Sequence, residues 1–153
     1  MKPVEPLALN HSWPLYEHGL RLDLGRLIEG QMPGAPLDGA DEWLRLHGIG
    51  RWSCNLSGQS LTWSTGVYDL FDWWRNWPLE REGVLRLYRE ESRVALERLR
   101  SHAIRHRRGF TIDIALRGSA GNRWVRVIGA PQCRGARVVA LHGWKKDVTN
   151  EYR

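Results

Sequence analysis

Apolar and polar positions alternate with period two along the late part of the chain. In "FTIDIALRG" Phe110, Ile112, Ile114 and Leu116 form one set, while Thr111, Asp113 and Arg117 stand among the polar positions. In "NRWVRVIGAP" Trp124 and Arg126 oppose Val125 and Val127. Such alternation predicts strands with one buried and one wet face. "RVVALHGWKKDV" adds a third strand, and "SAG" and "CRGA" supply the turns between the three. Before them the period changes. In "EESRVALERLRSHAIRHRRG", at about 100° per residue, Ala95, Leu96, Leu99 and Ala103 share a sector. Arg93, Arg98, Arg100, Arg105, Arg107 and Arg108 fall outside it, His102 and His106 border it, and Gly109 reads as the stop of this long helix.

Further upstream the pattern is shorter-ranged. "DGADEWLRLHG" predicts a short helix with an acidic first turn and Gly48 as its stop. "IGRWSCNLSGQSLTWS" predicts two strands around Ser57-Gly58. "TGVYDLFDWW" predicts a short helix, and "RNWPLEREGVLRLY" an irregular stretch ending in a helical turn or two. Two strands, several helices and three strands make an α+β fold: a five-stranded antiparallel sheet with helices packed on one face.

Residues 1–40 stand apart as an N-terminal extension. They hold five of the seven prolines, and "QMPGAPLDGA" reads as a linker. Their one apolar segment places Leu20, Leu22 and Leu24 at strand period, followed by Leu27 and Ile28. Such a run needs burial, either against the chain's own domain or in a homodimer interface, and the homodimer is the expectation. Charge divides near the same place. Through His47 there are four basic and seven acidic residues, net −3, and the remainder has 19 basic and ten acidic, net +9. That surplus leaves a nucleic-acid-binding adaptor as the alternative functional class. However, no helix-turn-helix or RNA-binding signature accompanies the arginines, so nucleic acid is not the expected partner.

A chain of 153 residues suits one domain able to bury a core without staples. Cys54 and Cys133 show no C-x-x-C spacing, and no apolar run approaches membrane-spanning length. The N-terminus lacks the apolar stretch of a signal peptide, so the expectation is a soluble cytoplasmic protein. Nucleophile elbow, P-loop and H-E-x-x-H are all missing, and no enzyme is expected.

From Gly48 to Thr149 the chain resembles a PAS domain of the subgroup common in bacterial signalling proteins. "IGRWSCNLSGQSLTWS" is similar to that family's first two strands, "VYDLF" to its short helix, and "LYREESR" to the start of its long helix. "GFTIDIALRGSAGNRWVRVIGAP" and "HGWKKDVT" are similar to its final three strands. The sequence departs from the family pattern at Asp72, Arg89, Glu90, Ser92 and Ala115. The cysteine-centred motif of the flavin-binding light sensors is absent, so flavin is not expected.

The resemblance implies a PAS domain at 41–149 and the start of a C-terminal connector at 150–153. It also implies a sensory or protein-interaction role in signal transduction, coupled to an effector domain or a signalling partner. A central cavity for a small molecule would be lined from Trp52, Cys54, Trp63, Tyr68, Phe71, Leu99, Ala103, Ile112, Val125 and Leu141. Asp147 and Thr149 would end the last strand and pass the signal on. Their short polar side chains can bond backbone donors where a ladder stops. The cofactor stays unknown. His102 and His106, four apart on one helix, are the haem or metal candidates, with satisfied boundary residues as the plainer reading. Trp73, Trp74 and Trp77 either cap the core or form a contact surface.

Overall fold

The structure is a computed structural model that describes residues 8–23, 41–117 and 123–152. Six antiparallel strands form one sheet in the order β1-β4-β5-β6-β2-β3. They are β1 (Asn10–Pro14), β2 (Ile49–Asn55), β3 (Ser60–Trp63), β4 (Arg108–Leu116), β5 (Arg123–Arg134) and β6 (Arg137–Asp147). The helices are α1 (His18–Arg21), α2 (Asp41–Leu46), α3 (Thr65–Leu70), α4 (Arg81–Leu85) and α5 (Glu90–His106). Short 3-10 turns occupy Leu15–Glu17 and Thr149–Tyr152.

The late strands follow their period-two pattern. Phe110, Ile112, Ile114, Leu116, Val125, Val127 and Leu141 face inward into one core with Trp52, Cys54 and Trp63. α5 covers this inner face with Leu96 and Ala103 buried and Ala95 and Leu99 partly buried, while Arg93, Arg98, Arg105 and Arg107 stay exposed. The β5–β6 hairpin turns at Gly135-Ala136, where Gly135 has φ +63. A glycine at that position suits a two-residue hairpin loop.

Four expectations need correction. The sheet has six strands, not five, because β1 pairs along the free edge of β4. "NHSWP" holds one large apolar residue and ends in proline, so nothing in its pattern marks a strand. Trp13 is what fixes it there. Its side chain is fully buried, its Nε1 donates to Thr111 Oγ1 at 3.0 Å, and its ring lies where a Cβ on Gly109 would sit. Gly109 therefore admits the ring and belongs to β4. The long helix stops at Arg107 instead, which takes the left-handed conformation (φ 52) and donates its amide to Ala103 O.

The second face is not wet, and helices do not pack on one face alone. Trp13, Leu44 of α2, Ile49, Ile128 and Ala130 make a second buried cluster on the outer side of the sheet, with Leu22 and Trp144 packed against it. The N-terminal elements thus fold back on their own domain. Finally, Leu20 and Leu22 are not at strand period in space. His18–Arg21 is helical, closed by an i,i+4 ion pair of Arg21 with Glu17 at 3.0 Å, and Leu22 follows as its cap. Leu22 O accepts from Trp144 Nε1 at 3.2 Å. Leu24, Leu27, Ile28 and the "QMPGAPLDGA" linker lie outside the described residues, as does the "SAG" turn.

Candidate functional site

Strand parity builds the site. Trp52 and Cys54 of β2 point inward, and β2 pairs with β6 so that Trp52 lies opposite Gly143 and Cys54 opposite Leu141. Along β6 the positions sharing Leu141's face are Gly143 and Lys145. The lysine therefore enters the core while Lys146 turns the other way. Lys145 is only 6% exposed. Its Nζ lies 4.8 Å from the ring centre of Phe71, 5.4 Å from Trp63 and 5.5 Å from Trp52. Trp63 and Phe71 are themselves stacked, with ring centres 5.1 Å apart.

Among the described residues no carboxylate pairs with Lys145. Burial pushes its pKa down to about 7, opposed only by the neighbouring Cys54 thiol. The negative ring faces offset part of the cost of burying an ammonium, but they accept none of its N–H groups as an oxygen would.

Beside Lys145 a cavity of about 60 Å³ lies between sheet and helices. Its apolar wall comes from Trp52, Cys54, Leu61, Val84, Leu85, Leu96, Phe110, Val127 and Leu141, with Tyr88. Burial raises the Tyr88 phenol pKa. Two further cations reach the wall. Arg81 is ion-paired with Glu97, whereas Arg100 donates to the neutral Gln59 Oε1 at 2.6 Å.

Of the cavity residues expected from sequence, Trp52, Cys54 and Leu141 line this space, and Trp63 and Phe71 hold the ammonium beside it. Ala103, Ile112 and Val125 are buried in the same core but do not line it, and Tyr68 and Leu99 pack on that core partly exposed. Sequence reasoning missed Lys145, Arg81, Arg100 and Tyr88. The signal for Lys145 was present, since continuing Leu141's parity by four residues points it inward. His102 and His106 stand exposed on α5, ring centres 4.6 Å apart, and neither lines the cavity. Among the described residues no cluster of three His, Cys, Asp or Glu is placed to hold a metal.

Trp73 packs against the core, whereas Trp74 and Trp77 are 58% and 49% exposed. The three continue edge-to-face from Trp63 toward the surface.

The end of β6 is fastened as its residue types suggest. Asp147 Oδ1 accepts the Thr149 amide at 2.9 Å, and Thr149 Oγ1 accepts the Trp124 amide at 3.1 Å. The following 3-10 turn lies on the outer face. There Tyr152 donates to Asp113 Oδ2 at 2.5 Å, and Arg126 grips both oxygens of the same buried carboxylate at 2.8 and 2.9 Å.

No family model matches the chain, and no curated protein matches it. Solved structures do. The N-terminal domain of a diguanylate cyclase with PAS/PAC sensor from Marinobacter aquaeolei superposes with TM-score 0.61 at 14% identity, over 69% of this chain and 99% of that one. The fold is a PAS fold. A sensory box histidine kinase/response regulator from Burkholderia thailandensis E264 gives TM-score 0.59 at 16% identity, over 71% of this chain and 82% of the other. An RNA-binding light-oxygen-voltage receptor gives 0.62 at 15% identity, and there 69% of this chain spans only 30% of the receptor. At such identities the likeness is one of PAS fold alone. Among the described residues, no helix is long and apolar enough to cross a membrane.

Proposed function

We propose that this chain is a cytoplasmic, non-catalytic sensory and interaction domain of bacterial signal transduction. Occupancy of its inner cavity by a small molecule, or docking of a partner, biases how the end of β6 and the turn after it sit on the sheet. The observation that carries this reading is the buried Lys145, with no carboxylate partner among the described residues, beside an inner cavity and two residues along the same strand from Asp147. One short rigid strand thus joins the cavity to the site of output. The effector stands downstream of Thr149 or associates with the domain. As a homodimer the domain would use its N-terminal elements, where Tyr16 is 88% exposed and Leu20 is exposed as well.

The coupling is tested without knowing any ligand. Val84→Phe fills the cavity from α4. Amide exchange is then followed at Val148 and Glu151, whose N–H groups bond Trp124 O and Val148 O. Altered protection there, in a folded protein, is the expected result. Unchanged protection would end the sensory reading. Light scattering on the whole chain tests the dimer, and a monomer at high concentration refutes it.

The second reading, a basic nucleic-acid adaptor, is favoured by one observation. The solvent side of α5 presents Arg93, Arg98 and Arg105, with Arg107 at its cap. Binding to duplex or single-stranded DNA that weakens steeply with salt would support it. No retention on heparin near physiological salt would remove it.

A further inference from the structure

Among the described residues, the core carries a cation without an anion. Lys145 is more than nine-tenths buried, and no carboxylate among the described residues pairs with it. It lines a cavity that Arg100, whose partner is the neutral Gln59, also lines. The third cation of the wall, Arg81, already has Glu97. Positive charge is therefore in excess around a space whose remaining walls are apolar apart from the Cys54 thiol and the Tyr88 phenol. Such a space repels a cationic ligand. A neutral one can accept from the ammonium but leaves the buried charge without a counter-ion.

We propose that this cavity is a receptor site for a short-chain monocarboxylate, whose carboxylate serves as the counter-ion of Lys145 and whose apolar tail lies among Leu96, Val127 and Leu141. Size supports the class. The cavity of about 60 Å³ holds only a few heavy atoms, so a carboxylate there carries no more than one or two further carbons, as in acetate or propionate. It does not admit a nucleotide or an aromatic acid. Nζ lies against the stacked Trp63 and Phe71 rings at one side of the cavity that Lys145 lines. Binding makes no covalent bond. The carboxylate replaces whatever water solvates the ammonium and favours the protonated form of the amine.

This assignment deepens the sensory reading and rests on it only for the consequence of binding. The test uses the full chain, which has three lysines, Lys2, Lys145 and Lys146, so ¹³C-lysine labelling gives few signals. Sodium propionate and acetate are titrated against sodium chloride at equal ionic strength, with propionamide as the uncharged match and hexanoate as the overlong one. The expected result is a saturable shift of the Lys145 Cε signal, with Lys2 and Lys146 unmoved and propionamide silent. Lys145→Met should weaken propionate binding by at least roughly tenfold. Leu96→Trp, which fills the tail site and keeps the lysine, should do the same.

No saturable shift with either acid overturns the proposal. So does propionate binding that survives in a folded Lys145→Met protein. Trapping of propanal on Lys145 by cyanoborohydride, without propionate binding, overturns it in favour of amine chemistry. If the acids fail while Val84→Phe still alters protection at Val148, the ligand class falls and the sensory reading stands. If the acids bind but neither they nor Val84→Phe alters that protection, the site stands and the sensory reading falls.

Discussion

Tyr152 lies flat against Trp124, ring centres 4.2 Å apart and planes 12° from parallel. The stack places the Tyr152 hydroxyl over Asp113, a carboxylate buried on the outer face and held by Arg126. The turn after β6 is thereby latched to β4 and β5, and Leu9 joins the latch by donating its amide to the same hydroxyl at 3.4 Å. Tyr152→Phe keeps the stack and removes the bond, and should cost about 1–2 kcal/mol in urea unfolding. Asp113→Ala leaves the half-buried Arg126 with only its 3.3 Å pair to Glu151 and should cost more, about 3 kcal/mol. Because Tyr152 and Arg126 share one acceptor, Tyr152→Phe and Arg126→Ala should be non-additive in a double-mutant cycle.

Lys145 makes stability depend on pH in the neutral-to-alkaline range. Its folded pKa is about 7, whereas an unfolded lysine titrates near about 10.4. Between these values the unfolded chain binds the extra proton, so stability rises as pH increases from about 7 and is lost as pH falls back toward 7. Lys145→Met removes the buried charge and fills similar volume. It should stabilise the domain by about 2 kcal/mol at pH 7, with the gain shrinking as pH approaches 9.5. Urea midpoints of both proteins at pH 7, 8 and 9.5 decide the matter, and a parallel pH response of the two would refute it.

The parts of the fold that were legible in the sequence are those whose pattern is local. Val125 and Val127 against Trp124 and Arg126, or Leu96 and Ala103 against the arginines of α5, need only a period to be placed. The strand β1 was not legible because Trp13 is its single apolar residue, and what makes it a strand is the bare backbone of Gly109 on a partner far along the chain. The outer face of β4 read as wet because Thr111 and Asp113 are polar. They are buried all the same, because Trp13, Arg126 and Tyr152 bring them partners. The cavity was legible as apolar residues on the right faces. Its charge was not, because a Lys-Lys pair near a strand's end reads as the exit to solvent, and only parity distinguishes Lys145 from Lys146.

Trp13 and Gly109 should behave as one unit. Trp13→Ala empties the centre of the outer cluster and removes the bond to Thr111, at a cost of about 3–5 kcal/mol. Gly109→Ala puts a methyl where the Trp13 ring lies, and should cost about 1–3 kcal/mol by overpacking. In the double variant the added methyl meets no ring, so the combined loss should fall short of the sum. Chemical unfolding measures the losses, and limited proteolysis near residues 14–23 should show the N-terminal elements released in Trp13→Ala. A strictly additive double variant would mean that the two residues do not share this contact.

His18 and His142 should make the docking of α1 sensitive to acid. Their Nε2 atoms lie 3.2 Å apart, so one nitrogen donates and the other must be an unprotonated acceptor. Burial first, and the charge of His18 second, lower the pKa of His142 below the usual histidine value of about 6.5. For a base with a depressed folded pKa, the contribution is complete above the unfolded value. It is lost as pH falls below about 6.5 toward the folded pKa, because the unfolded chain takes up the proton first. The contact joins α1 to β6 over the second core, next to the bond from Trp144 Nε1 to Leu22 O. Acid should therefore loosen the N-terminal elements before it unfolds the inner core. Hydrogen exchange at pH 7 and pH 5, corrected for intrinsic rates, should show selective loss of protection at Leu22, whose amide bonds His18 O, while Ile112 and Val127 stay protected. His142→Gln, an uncharged side chain that can still bond His18, should flatten this response. Equal loss of protection in the inner strands, or an unchanged response in His142→Gln, would show that the histidine pair does not govern the docking.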